Sequence, residues 1–550
     1  MSLRISSSDL LLTNAHFYVD GRGAAGVESM AVRGGVIAGL GPVSRMSDLI
    51  DASAQTVDLG GRWVLPGFHD AHVHPVQAGL EVSSCDLSGG ERAADYLDII
   101  ETYSLANPDD AWILGGGWSM EAFPRGLPTA AALDRVVGDR LVFLPNRDHH
   151  SAWVSTAALR LAGISASTAD PADGRIERDV DGEPTGALHE GAMELVRSLI
   201  PDSLPAQLES ALLTAQARLH AFGITGWQDA LVGEGLGLAD SLDTYLSVKG
   251  SERLTAKVVG ALWWDRARGA EQIEELLERR TRAASAGFDA GSVKIMQDGV
   301  CETCTASVID AYLDRHGEPT DNHGLSFIEA GDLARYVQLL DAHDFQVHVH
   351  ALGDRAVRDS LDAVEHAITV NGRRGNRHHL AHIQIVHPDD VSRFAELDVT
   401  ANAQPLWACH DEQMVGLTLP FLSGPARGQQ YVFGSLLRSG GRLAFGSDWP
   451  VSSPDPLLGI HVAVNRTEPG GTYEPLLAEQ GLTVVEAIDA YTSGSAWVSR
   501  RDTTTGTIAV GKAADLAVID ADILAMDSSQ IASARVAQTW VDGVKVFDRN

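Results

Sequence analysis

Eight short apolar runs, separated for the most part by helix-patterned segments, constrain this chain more than any other feature. The runs cover residues 63–74, 224–228, 254–262, 292–296, 345–350, 379–385, 399–403 and 442–445. Helical patterns fall between them, among others at 272–284, 333–342, 355–369 and 388–397. Strands that alternate with helices pair in parallel, and eight such units predict a closed (β/α)8 barrel. In that fold the chemistry gathers at the C-terminal ends of the strands. The barrel is expected over residues 63–499.

Two parts of the chain do not fit a bare barrel. About 140 residues separate the first and second runs, whereas an ordinary strand-to-helix loop has about 2–6. Residues 80–215 are therefore read as a large insertion after the first barrel strand, with structure of its own. It carries Gly115-Gly116-Gly117-Trp118 and Arg147-Asp148-His149-His150-Ser151, and it can cover a substrate and exclude water. The chain ends share a different texture of short strands and turns, with Gly34-Gly35 near one end and Asp542-Gly543 near the other. Neither end is large enough to build a good core alone. Residues 1–62 and 500–550 are therefore expected to pair into one small sheet domain.

The formal charge of −32 comes from 42 basic and 74 acidic side chains. It argues against nucleic acid and anionic membranes as partners. No run of 18 apolar residues occurs, and the first ten residues lack the apolar core of a signal peptide, so a cytoplasmic enzyme is expected. A homo-oligomer is compatible with the sequence but not required by it. Four cysteines are too few for a disulfide framework in a chain of 550 residues, and Cys301-x-x-Cys304 lacks the second pair of a zinc ribbon.

Polar residues at the strand ends form a series. The first strand delivers His72 and His74, which share a face because strand side chains alternate. The fourth carries Lys294, the fifth ends in His350, the sixth in His382, and the eighth in Asp448. A lone histidine is more often a hydrogen-bonded structural residue than a ligand, but coincidence explains five strand ends poorly. His348 shares a face with His350, which lies nearer the strand end and is the better ligand; His382 is preferred over His378 and His379 on the same ground. Imidazole and carboxylate suit zinc first, with iron, manganese or nickel also compatible. A divalent metal lowers the pKa of water and polarises a carbonyl, and Asp448 can move the proton as general base and acid. A neutral Lys294 can capture carbon dioxide as a carbamate able to bridge two metals; the alternative is a lysine paired with Asp298 or another carboxylate.

The pattern P-G-F-H-D-A-H-V-H, a later strand lysine, His350, His382 and Asp448 resembles the amidohydrolase superfamily. G-T-I-A-V-G-K-A-A-D-L-A-V-I-D at the far end is similar to that family's return to a β-sandwich built from both termini. H-A-L-G-D-R-A, A-H-I-Q, G-S-D-W-P-V, D-H-H-S-A-W-V and P-T-G-A-L-H-E resemble more narrowly its YtcJ-like branch, which includes N-substituted formamide deformylases. The resemblance implies metal ligation of one or two ions by His72, His74, His350, His382 and Asp448, with Lys294 as the candidate bridge. It also implies a small-molecule substrate with an amide or formamide C–N bond. Trp118, Asp148, His150, Glu190 and Trp407 are the pocket candidates, and the tryptophans suggest an apolar or aromatic portion in the substrate. A single-metal deaminase of a cyclic amidine and a non-catalytic barrel scaffold are the competing readings. Deaminases of this superfamily usually lack the strand-four lysine, and a scaffold would be expected to have lost ligands.

Overall fold

The structure is a computed structural model describing residues 9–235 and 238–549. The signal-peptide reading of the first residues lies mostly outside the described residues. Eight parallel strands form the barrel: β1 (Phe68–Val73), β2 (Ile224–Val232), β3 (Lys257–Trp263), β4 (Asp289–Met296), β5 (Gln346–Ala351), β6 (His379–His382), β7 (Thr400–Ala403) and β8 (Arg442–Phe445). They pair in chain order from β1 to β8. Side-chain and rim contacts span the seam between β8 and β1. Asn402 Nδ2 donates to Ala71 O across 2.8 Å. At the C-terminal rim, Asp448 N–H donates to His72 O at 2.7 Å and His74 N–H to Trp449 O at 3.0 Å. Two expected ligand segments thus draw the rim together.

The strands are buried along their length, as the continuous apolar runs require of a sheet covered on both faces. The helices outside them bury one stripe each at helical spacing. In Ala330–Ala342 that stripe is Leu333, Val337 and Leu340, and in Asp354–Asn371 it runs through Val357, Leu361 and Val364.

The run from 63 to 74 is two strands, not one. Gln55–Pro66 pairs antiparallel with Leu516–Ile519 and parallel with Leu10–Val19, while β1 pairs with β2. Pro66 has no N–H to continue a ladder, and a Cβ on Gly67 would lie 2.4 Å from Thr225. The chain crosses from one sheet to the next at this proline and glycine.

Strands from both chain ends interleave in one eight-stranded sheet. Its path runs Val544–Asp548, Val536–Val541, Leu516–Ile519, Gln55–Pro66, Leu10–Val19, Ser29–Arg33 and Val36–Gly41, with Arg22–Gly23 paired to Leu10–Val19. Lys257 at the start of β3 ties this sheet to the barrel through Asp515 (2.5 Å) and Asp542 (2.9 Å).

The long interval after β1 holds a six-stranded sheet of its own, with Ser151–Val154 and Pro184–Glu190 as neighbours. Helices Ala93–Ala106 and Ala130–Val137 pack over a core that includes Tyr96, Trp118, Phe123 and Trp153. Among the described residues, no helix is long and apolar enough to cross a membrane.

Candidate metal centre

Asp448 is the hub. It stands in the turn after β8 with a left-handed backbone (φ +56°). Its Oδ1 lies 3.2 Å from His72 Nε2 and 3.0 Å from His74 Nε2, and its Oδ2 lies 3.9 Å from His382 Nδ1. His382, the last residue of β6, also has a positive φ (+72°). Non-glycine residues in this region carry strain, and such strain gathers at functional sites. Lys294 reaches in from β4, its Nζ 3.3 Å from His72 Nε2. The His350 ring completes the cluster, 4.5 Å from that of His382 between centroids. The structure thus brings all six expected ligands to one mouth of the barrel.

Burial decides the charge states. It holds His72, His350 and His382 well below the usual 6.5, with neighbouring imidazoles and the Lys294 ammonium adding to the effect. All three are therefore neutral imidazoles with a lone pair to offer. Burial works against the Asp448 carboxylate, but the His72 and His74 rings outweigh it and hold the group well below 3.8. Lys294 is pushed down to about 7 by burial, against the pull of Asp448.

Ligand atoms of His72, His382 and Asp448 lie within 4.8 Å of one another. His382 Nδ1 and Asp448 Oδ1 are buried without an aligned hydrogen bond. Converging lone pairs and one buried anion fit a divalent cation, and the donor set suits one.

Further residues support this cluster, among them Asp70, which the sequence did not single out. Asp70 accepts from the backbone N–H groups of His72 (3.1 Å) and Ser447 (3.0 Å) and from the Ser447 hydroxyl (2.5 Å), pinning β1 to the turn that carries Asp448. Asp298 is fully buried and accepts from the backbone of Ser307, Leu352 and Gly353. Its Oδ1 lies 3.7 Å from His350 Nε2. The alternative of a Lys294–Asp298 pair is therefore not realised: Asp298 holds loops and faces His350, while Lys294 faces His72. His348 lies one layer deeper on β5, its Nε2 2.9 Å from His72 Nδ1.

A cavity of about 1040 Å³ opens above the cluster. The insertion contributes Asp148, His150 and Glu190 to its lining. His150 Nδ1 is 2.8 Å from Glu190 Oε1, which also accepts from the Thr305 hydroxyl at 2.8 Å. Burial opposes a charged His150, but Glu190 outweighs it and raises the ring to about 9. Trp407 stacks on the His382 ring, with centroids 5.4 Å apart and planes 8° from parallel. Trp118 does not belong to the pocket. It is fully buried in the core of the insertion against Phe123 and Trp153, and its indole N–H donates to Leu144 O at 2.7 Å. The glycine run before it reads equally well as a loop or as a strand end, and only the packing distinguishes them. All four cysteines are free thiols, with Cys301 buried.

Fold and site together define a (β/α)8 barrel whose mouth gathers residues that could hold a metal ion. The chain belongs to the amidohydrolase family, whose profile it matches over residues 55–547, and within it to the YtcJ-like branch. It is 30% identical to "Putative amidohydrolase YtcJ" of Bacillus subtilis (strain 168), over 95% of this chain and 96% of that protein. With the N-substituted formamide deformylase of Arthrobacter pascens it shares 27% identity over 98% of both chains. Among solved structures, an uncharacterized metal-dependent hydrolase from Pyrococcus furiosus has the same fold. The TM-score is 0.69 at 24% identity, covering 94% of this chain and all of that one. Family membership makes the protein a hydrolase.

Proposed function

We propose that the protein hydrolyses the carbon–nitrogen bond of a small amide or N-substituted formamide at a centre holding one or two divalent metal ions, zinc foremost. The observation that carries this reading is the convergence of imidazoles from separate barrel strands on Asp448, with a buried lysine beside His72. In it, His72, His74, His350, His382 and Asp448 hold metal. Bound metal supplies Lewis acidity and a water of lowered pKa.

The chain's own groups do the rest. Asp448 accepts a proton from the attacking water and delivers it to the leaving nitrogen as the C–N bond breaks, giving a carboxylic acid and an amine. Lys294, whose burial brings it to about 7, has a neutral amine available at neutral pH. Its nitrogen can add to carbon dioxide and lose a proton, and the resulting carbamate supplies two anionic oxygens as further ligands. Asp148 and the His150–Glu190 pair face the cavity from the insertion and are assigned to substrate contact, with Trp407 beside His382. The insertion covers the site and excludes water. Likeness to the formamide deformylase along both full lengths supports the formamide class. Lys294 disfavours the single-metal deaminase.

The test is turnover of a panel of N-substituted formamides and N-acyl amino acids, read as amine release. Activity should be abolished by a chelator and restored by zinc. No turnover by metal-loaded protein anywhere on the panel, together with ammonia release from a cyclic amidine, would move the reading to a deaminase.

A further inference from the structure

A metal ligand must present the correct ring nitrogen, and that choice is made by whatever holds the other one. In His72 the nitrogen facing Asp448 and Lys294 is Nε2. A neutral imidazole carries a single proton, so a ligating Nε2 requires the proton on Nδ1. Among the described residues, the hydrogen-bond partner of Nδ1 is Nε2 of His348, at 2.9 Å. Both side chains are buried, His72 at 1% and His348 at 0% exposure, so bulk water does not substitute for that partner.

We propose that His348 is a positioning residue. Its Nε2 accepts the Nδ1 proton of His72 and so fixes His72 in the tautomer that turns the Nε2 lone pair to the metal. This rests on the metal-dependent reading above. His348 is free to take the role, because its own proton then sits on Nδ1, an atom with no hydrogen-bond partner to impose the opposite tautomer. Its place in the sheet suits the role as well. His348 pairs in register with Lys294 on β4 and with His379 on β6, one layer beneath the ligand layer of His350. Without an acceptor there, the buried N–H of His72 loses its partner, and a shift of the proton to Nε2 would block the ligand position.

The experiment compares His348→Leu, which offers no acceptor, with His348→Gln, whose carbonyl oxygen can accept. The reading is zinc affinity by competition with a chromogenic chelator. His348→Leu should bind zinc about 10–100-fold more weakly, as is usual when a ligand's outer partner is lost. His348→Gln should stay much closer to the wild type, and urea unfolding should show both metal-free variants cooperatively folded, His348→Leu at a lower midpoint than the wild type. Undiminished affinity in a folded His348→Leu, or a loss in His348→Gln as large as in His348→Leu, would overturn the proposal.

A second measurement does not depend on the variants folding. In wild-type protein labelled with 15N-histidine, slowly exchanging imidazole protons should sit on the Nδ1 atoms of both His72 and His348, with or without zinc. Absence of any such protected Nδ1 proton would also overturn the proposal. Failure of the metal-dependent reading itself would look different: a wild-type protein that binds no zinc.

Discussion

Replacing Lys294 with methionine should make the metal-free protein more stable while weakening its metal site. Methionine matches lysine in length and volume, so the barrel interior stays filled. The change removes an amine that is 3% exposed and that burial brings from 10.5 down to about 7. The unfolded chain holds the Lys294 proton up to pH 10.5, the native chain only up to about 7. Between those values the unfolded state binds more protons, so wild-type stability rises with pH. At or below pH 7 the native state bears the full penalty, about 5 kcal/mol at 1.36 kcal/mol per tenfold change in proton affinity. At pH 9 the penalty falls to about 2 kcal/mol by the same arithmetic.

The assay is paired urea unfolding of metal-free wild type and Lys294→Met at pH 6.5 and pH 9, in buffers stripped of carbon dioxide and followed by tryptophan fluorescence. The variant should lead by several kcal/mol at pH 6.5 and by clearly less at pH 9. Titrating groups remote from Lys294 are common to both proteins and cancel in the difference; His72, His350 and His382, which the ammonium holds down, are already neutral through burial at both pH values. A variant less stable than the wild type, or a gap that does not change with pH, would refute the reasoning. Lys294 would then not be a desolvated amine, and its availability to carbon dioxide would lose its physical basis.

Asp448→Asn keeps the shape of the hub but cannot carry the proton; kcat should fall about 10²–10⁴-fold, and loss below threefold in metal-loaded protein would remove Asp448 from proton transfer. Trp118→Ala should destabilise the insertion by about 3–5 kcal/mol and leave the relative rates on aromatic and aliphatic formamides unchanged. Those rates, measured beside a denaturant titration, would expose an error if selectivity moved and stability did not. Trp407→Leu removes the ring stacked on His382. It should change KM or metal affinity with less than about 2 kcal/mol of lost stability, and an unaltered enzyme would take Trp407 out of the site.

The barrel was legible because its strands are continuous apolar runs and its helices bury one stripe, two periods that differ plainly. The grouping of the candidate ligands is legible for a related reason: strand ends project side chains to one mouth, so His72, Lys294, His350, His382 and Asp448 can be grouped without knowing any distance. The misreadings share a physical origin. Residues 63–74 look like one apolar run, and the pairing partners that divide it at Gly67 lie far away in the chain, in Leu516–Ile519 and in β2. Trp118 is a pocket candidate from its place in an insertion that covers the site, but its neighbours Phe123 and Trp153 come together only in the folded insertion. Asp298 looked like a partner for Lys294 by nearness in sequence, but its oxygens are taken by backbone N–H groups from two loops. His348 was passed over for lying below the strand end. That depth is what lets it reach the far side of His72.

The most direct test of the central claim is the metal content, by elemental analysis, of protein purified without chelators, set beside that of Lys294→Met. The account predicts one or two divalent ions per wild-type chain and, if Lys294 bridges two, fewer in the variant. A wild-type protein that retains no metal, even when produced with added zinc, would contradict it.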